Sequence, residues 1–254
     1  MARFFVPKKN IQQNRGFIDG QELQHLRRVL RLTPGDEITI FDDAGWEHDA
    51  VIRSFDSGSA KIEILRSSHA PRESELELTL AIGLTKGDKV DFVVEKATEL
   101  GVCRIVPIAS VHTVAKFDTA KAKTRAARWH KIALSAAKQS GRTRVPEVLS
   151  PVELHDFIEQ NPGDALKLLF WEKRPSESLK RVHTAQPAAP AIIAVIGPEG
   201  GFSDEEVALA TAHGYYAVSL GRRILRAETA AVTALALMQY LWGDLGRQFD
   251  GADG

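Results

Sequence analysis

Between Ala191 and Thr233 the chain alternates apolar runs with glycine-bearing loops, and no other stretch restricts the fold as much. Ala191–Ile196 (AIIAVI) is short, wholly apolar and rich in β-branched residues, as suits a strand buried on both faces of a parallel sheet. It stops at Gly197-Pro198-Glu199-Gly200-Gly201, where proline cannot donate to a ladder and glycine lets the backbone turn sharply. Ser203-Asp204-Glu205-Glu206 matches a capping box, with Ser203 as N-cap and Glu206 at the third helical position. The pattern then recurs. Tyr215–Leu220 reads as a strand, Gly221–Arg226 as a loop and Ala227–Leu241 as a helix. Two successive strands with such endings are expected to set their loops side by side at the carboxyl edge of a sheet, where open α/β folds bind ligands. Ordinary βα turns are the plainer reading of the same spacing.

Neither loop is a familiar nucleotide motif. GPEGG is not G-x-G-x-x-G, and no acidic residue is placed to hold a dinucleotide ribose. Gly83–Lys89 (GLTKGDK) has glycines too close together for a phosphate loop, and no Ser or Thr follows its lysine. Cys103 stands alone, which excludes an internal disulfide or a cysteine zinc cluster, and no metal site is read from the sequence. The first residues, MARFFVPKKN, lack the apolar core of a secretory signal, and no run approaches the roughly 20 apolar residues of a membrane span. A cytoplasmic protein without a membrane partner is the expectation.

The 254 residues suffice for one large or two modest domains. Residues 1–68 read as a small β domain. Arg3–Pro7 is a strand candidate, and Gly20–Arg31 is a short helix with Leu23, Leu26 and Leu30 on one face. Three alternating strands follow at Glu37–Phe41, Glu47–Phe55 and Ala60–Leu65, and a barrel closes so few strands naturally. Residues 69–75 read as a linker. From Leu76 to the end, strands and helices alternate, which predicts an α/β domain with a parallel sheet. The expected elements are strands at Leu76–Gly83, Arg104–Ala109 and Ala165–Trp171, helices at Asp88–Leu100, Thr119–Ser140 and Pro151–Gln160, and a loop over Arg181–Pro190. Asp244–Gly254 is expected to fray.

Net charge is zero, which argues against a nucleic-acid partner until its distribution is read. Thr119–Pro146 carries eight Lys or Arg and no Asp or Glu, and Met1–Pro34 carries seven against two. A solvated cationic face is the ordinary explanation for a single helix. Here Arg142 and Arg144 extend the charge past the helix end without a compensating acid, and RNA contact is the favoured reading.

The paired segments IGPEGGFS (Ile196–Ser203) and LGRRILRAET (Leu220–Thr229) resemble the signature of SPOUT-class RNA methyltransferases. Within that class the chain is most similar to the bacterial enzymes that methylate N3 of a uridine in 16S ribosomal RNA. HLRRVLR (His25–Arg31), EKATELGV (Glu95–Val102) and WHKIALSAAKQSGRTRVP (Trp129–Pro146) extend the similarity over nearly the whole chain. The resemblance implies a PUA-like barrel at residues 1–68 and a trefoil-knotted domain at 76–254. It also implies S-adenosylmethionine as methyl donor and a homodimer paired through the final helix, where Ala227, Ala230, Ala231 and Ala234 leave room for close packing. That alanine row serves tight packing within one subunit equally well.

Backbone groups of Gly197, Pro198, Glu199, Gly200, Leu220, Gly221 and Arg226 are expected to hold the donor, with Ile224 and Leu225 as apolar walls and Thr229 at the end of the signature. The resemblance adds Phe170 or Trp171 as a third wall. Glu199 has the alternative of holding the loop's shape. Uridine N3 is protonated at neutral pH, so its anion must be formed by a base or stabilised by donors at the flanking carbonyl oxygens. Arg226 is the candidate for stabilisation, since an always-protonated guanidinium is no base. Glu228 is a candidate base with a competing role at the helix dipole. Arg3, His25, Arg28, Arg31, Lys138, Arg142 and Arg144 are the candidate RNA contacts. A non-catalytic RNA-binding ribosome-assembly factor and a nicotinamide-dependent oxidoreductase are the rival readings.

Overall fold

The computed structural model describes residues 2–69, 72–113, 119–160, 163–173 and 177–247. It falls into two compact units. Residues 1–73 and 137–145 form the first, and residues 74–136 and 146–254 the second.

The first unit holds six strands: β1 (Arg3–Phe5), β2 (Ile11–Gln12), β3 (Arg15–Asp19), β4 (Glu37–Phe41), β5 (Trp46–Phe55) and β6 (Ser59–His69). They lie in the order β1-β4-β5-β6-β3-β2, and every neighbouring pair is antiparallel except β1 with β4. Phe4 of β1, Ile18 of β3, Ile38 and Ile40 of β4, Ile52 of β5 and Ile62 of β6 share one buried core, so strands near opposite ends of the sheet face the same interior. Among the described residues no ladder joins β2 to β1, so the sheet closes through side chains rather than backbone hydrogen bonds. Helix α1 (Gly20–Gln24) covers this core with Leu23, and the chain then widens into a π-helical turn over His25–Val29. The Leu30 amide donates to the His25 carbonyl at 3.1 Å, five residues back. This extra residue per turn rotates Leu30 away from Leu23 and Leu26, and it is 40% exposed instead of lying on their face. The turn ends with Arg31 at φ 55°, a position where glycine is usual.

The last turn of the basic helix and the loop behind it group with this first unit. Glu73 gathers them. Its carboxylate accepts from Arg142 Nε at 3.0 Å and from the Thr143 and Arg144 amides at 2.8 and 3.0 Å. Arg3 donates to the carbonyls of Ala137 and Arg142, and Lys138 pairs with Glu22 at 2.8 Å.

The second unit is built on eight strands: β7 (Glu77–Gly83), β8 (Arg104–Ala109), β9 (Glu147–Val148), β10 (Val152–Glu153), β11 (Leu166–Phe170), β12 (Glu177–Ser178), β13 (Ala191–Ile196) and β14 (Tyr216–Ser219). All pair in parallel, in the order β10-β8-β7-β13-β11-β14-β12, with β9 beside β8. The helices are α2 (Lys89–Glu99), α3 (Thr119–Ser140, which passes into the first unit at Ala137), α4 (Leu154–Glu159), α5 (Leu179–Ala185), α6 (Asp204–Ala212) and α7 (Ala227–Leu241). β11 and β13 are apolar along almost their whole length because neighbours flank them on both sides and helices cover both faces.

Three expectations change here. The strands Ala191–Ile196 and Tyr216–Ser219 are not adjacent, since β11 lies between them and pairs with both. Consecutive strands need only a crossover, and nothing in their sequences reports which strand the crossover skips. The expected loop over Arg181–Pro190 begins inside α5, whose N-cap Ser178 accepts from the Arg181 amide at 3.2 Å. Expected helix Pro151–Gln160 begins as a strand, because Val152 and Glu153 pair with Ile108 and Ala109 before α4 starts. The polar tail from residue 248 onward lies outside the described residues. Among the described residues no helix is long and apolar enough to cross a membrane.

Candidate functional site

Parallel pairing points the carboxyl ends of β7, β13, β11 and β14 to one edge of the sheet, so four loops emerge in a row. A pocket of about 580 Å³ opens there, within the usual range for a small-molecule site. The end of β11 supplies Phe170, Trp171 and Glu172. The loop after β13 supplies Gly197, Pro198, Glu199, Gly201 and Phe202, and the loop after β14 supplies Leu220, Gly221, Arg223, Ile224, Leu225 and Arg226. Ser219, Ile196, Lys89 and the first turns of α7 at Ala227 and Ala230 complete the lining.

Close contacts crowd the glycines of the β13 loop. A Cβ on Gly197 would lie 3.2 Å from the Phe202 ring, and one on Gly201 would lie 2.8 Å from Glu172 Oε1. Gly201 also sits at φ 68°, and its amide closes a turn onto the Pro198 carbonyl at 2.9 Å. Phe202 is fully buried and pins the far end of the loop. Helix α6 starts on the capping box read from the sequence. Ser203 Oγ accepts from the Glu206 amide at 3.2 Å, and the Ser203 amide donates to Glu206 at 2.8 Å. Such a cap contributes about 1 kcal/mol.

Glu199 answers the question left open about its role. It accepts a 2.9 Å hydrogen bond from Lys89 Nζ. Partial burial pushes its carboxyl up, but the Lys89 bond, backbone donation from Glu199 and Lys86, and the lysine charge together hold it below the usual carboxylate range. It is therefore an ionised anchor as well as part of the pocket wall.

The β14 loop is more open. Ile224 is 83% exposed at the pocket rim, and Gly221 adopts φ 112°. Arg226 is the N-cap of α7, yet its side chain makes no capping bond. Arginine cannot accept from the free helix amides, and its charge opposes the positive end of the helix dipole. Glu228 is not part of the lining. Its Oε2 is buried without a hydrogen bond and lies 4.0 Å from Lys89 Nζ, so the carboxylate turns toward lysine rather than into the pocket.

Of the sequence-derived binding residues, Phe170, Trp171, Gly197, Pro198, Glu199, Leu220, Gly221, Ile224, Leu225 and Arg226 meet in this one cavity. Gly200 and Thr229 do not. Gly200 faces the β8 loop, where a Cβ would lie 2.7 Å from His112 Cβ, and Thr229 points to solvent from α7. Lys89 and Glu172 were missed. The GLTKGDK segment around Lys89 fails as a phosphate loop and signals no other role, and Glu172 belongs to no motif.

The candidate RNA contacts divide in the same way. His25, Arg28, Arg31 and Arg144 are exposed. Arg3, Lys138 and Arg142 are withdrawn from the set, because Arg142 is 4% exposed against Glu73 and the other two are held by Glu47 and Glu22. Charge counted along a sequence does not distinguish a cation facing solvent from one paired to a distant acid.

The profile of the RNA methyltransferase domain matches residues 72–239, about two-thirds of the chain. The chain belongs to the RNA methyltransferase family. A second profile, the RNA methyltransferase PUA domain, matches residues 18–65 of the first unit. The ribosomal RNA small subunit methyltransferase E of Bacillus subtilis is 30% identical over 247 residues, covering 94% of this chain and 96% of its own. The same-named protein of Neisseria gonorrhoeae, solved bound to S-adenosyl methionine, superposes with a TM-score of 0.87 at 36% identity, covering 96% of this chain and 99% of its own. A Legionella pneumophila protein in complex with the bound cofactor SAM gives 0.87 at 33% identity, with the same coverage.

The pocket of this RNA methyltransferase suits that cofactor. Glycine turns expose backbone donors and acceptors for an adenine edge, and Phe170, Ile224 and Leu225 offer apolar walls.

Proposed function

We propose that this protein methylates N3 of a specific uridine in 16S ribosomal RNA of the small ribosomal subunit, with S-adenosylmethionine as donor. The observation that carries the reading is the pocket at the carboxyl edge, where the two glycine loops and the end of β11 meet beside Arg226. The small-subunit relatives support the RNA class, and the two SAM-bound structures support the donor. The choice of uridine N3 rests on the resemblance of the paired loop signature.

Bound in this pocket, S-adenosylmethionine supplies an electrophilic methyl group on a sulfonium. The chain's own groups do the rest. The Gly197–Phe202 and Leu220–Arg226 backbones hold the donor in one orientation, and the apolar walls limit water. In this reading Arg226, on the pocket wall, offers its guanidinium to stabilise the uridine N3 anion through a flanking carbonyl oxygen. His25 and Arg28 on the π-helical turn, Arg31 just past it and Arg144 are the exposed side chains offered to RNA phosphates in this reading.

A homodimer belongs to this reading. Leu237, Tyr240 and Leu245 leave an apolar outer surface on and just after α7, while Ala231 and Ala234 are already buried within the unit. Trefoil threading accords with the strand order, in which β13 is inserted between β7 and β11. A cytoplasmic location follows from the ribosomal substrate.

Purified protein, labelled donor and small subunits lacking the modification test the assignment, with nucleosides identified by mass spectrometry. Donor-dependent 3-methyluridine at one position is expected. RNA binding that weakens with salt, with no donor binding by calorimetry, would leave a non-catalytic assembly factor instead.

A further inference from the structure

Lys89 is the first residue of α2, where an ammonium opposes the helix dipole. It is nevertheless drawn to two carboxylates from segments far apart in the chain. Its Nζ lies 2.9 Å from Glu199 Oε1 in the β13 loop and 4.0 Å from Glu228 Oε2 in the first turn of α7. Lys89 itself lines the pocket, and its side chain is 35% exposed. Glu228 Oε2 has no hydrogen bond, so lysine is the cation that compensates this buried oxygen. Without that ammonium, Glu199 would lose its side-chain hydrogen bond and the buried Glu228 oxygen would lose the charge that compensates it.

Resting on the methyltransferase reading above, the geometry points to Lys89 as a positioning residue. It fixes the donor-binding loop through Glu199, and it fixes the start of α7 through Glu228, thereby aiming Arg226 two residues earlier. The two arms serve different steps. The Glu199 arm governs donor affinity, and the Glu228 arm governs turnover. Backbone displacements near 1 Å are enough to cost about a hundredfold in rate when they misplace a reacting group.

The test uses full-length Lys89→Met, Lys89→Arg, Glu199→Gln and Glu228→Gln, each with wild-type melting behaviour. Affinity for S-adenosylmethionine is measured by calorimetry, and kcat and KM are measured on small subunits. Lys89→Met is expected to weaken donor affinity about three- to tenfold and to lower kcat about tenfold or more. Glu199→Gln reproduces the affinity loss with kcat nearly unchanged, and Glu228→Gln reproduces the kcat loss with affinity nearly unchanged. Lys89→Arg, which keeps the charge, recovers both to within about threefold. Unaltered affinity and turnover in folded Lys89→Met, or an arginine variant as poor as methionine, overturns the inference. If Lys89→Met does not fold, the two glutamine variants decide, because identical profiles for them refute the division of roles. Wild-type protein that binds no donor would overturn the methyltransferase reading instead.

Discussion

Gly83 closes β7 beside the loop on which the whole pocket turns, and replacing it with alanine tests how rigidly that loop is held. Ile82 pairs with Ile196 across the β7–β13 ladder, so the next residue on β7 abuts Gly197 and Pro198. An added Cβ would lie 2.6 Å from Pro198 Cδ and 2.7 Å from the Gly197 carbonyl carbon, and closer still to the Pro198 nitrogen. Comfortable contact begins near 3.4 Å, so backbone must move by about 1 Å. β7 is held by β8 on one side and β13 on the other, which leaves the Gly197–Pro198 turn to yield. Overpacking of this kind costs about 1–3 kcal/mol. For a unit of this size each kcal/mol lowers Tm by about 2–4 °C, which places the expected loss at about 2–12 °C. Donor affinity should fall about tenfold or more, because the displaced backbone is the wall itself. Differential scanning calorimetry and donor titration measure both, with Gly163→Ala as control, since a Cβ there meets nothing within 4 Å. A Gly83→Ala protein with wild-type Tm and wild-type donor affinity would refute the reasoning.

Three further outcomes are expected. His48 is buried, its Nδ1 lies 2.8 Å from Ser67 Oγ, and its Nε2 has no hydrogen-bond partner. Burial lowers its pKa below the usual 6.5, against the opposing pull of Asp42 and Glu47, so the unfolded chain takes up the proton first. The stability of the first unit should therefore hold steady above about pH 6.5 and decline as pH falls below it. His48→Gln should remove part of that decline, and parallel melting curves for the two proteins from pH 7.5 to 5 would contradict it. Gln239 is buried, donates to the Leu100 carbonyl at 2.9 Å and accepts from Ser74 Oγ at 2.8 Å. Gln239→Leu strands both partners and should cost about 2–3 kcal/mol, read by urea unfolding. Arg226→Ala should lower kcat by about 10²–10³ with a much smaller change in donor affinity, and a folded variant with full turnover would end the electrostatic role.

Local chemistry explains what the sequence made legible. The Ala191–Ile196 strand, the capping box at Ser203, the basic helix over Thr119–Ser140 and the shared pocket of the two glycine loops each follow from a short pattern with one physical reading. What escaped depends on partners distant in the chain. The insertion of β11 between β13 and β14 is set by a crossover and leaves no mark in either strand. Leu30 leaves the apolar face because the helix widens by one residue, which a 3.6-residue period cannot register. Arg142 looked like an RNA contact because its acid, Glu73, lies 69 residues earlier. Lys89 was hidden for the same reason, with its two acids more than a hundred residues downstream.

The first unit is not a continuous stretch of chain, and this bears on the order in which the protein matures during synthesis. Glu73 emerges from the ribosome long before Arg142, Thr143 and Arg144, which supply its donors. Arg3 and Glu22 wait longer still for Ala137 and Lys138. The amino-terminal unit, whose six strands end at His69, therefore lacks these partners until residue 145 has been translated. A gene fragment ending at Glu73 would encode a sheet whose gathering carboxylate has lost its cation and amide donors, so the two halves of this protein cannot be separated by a single cut.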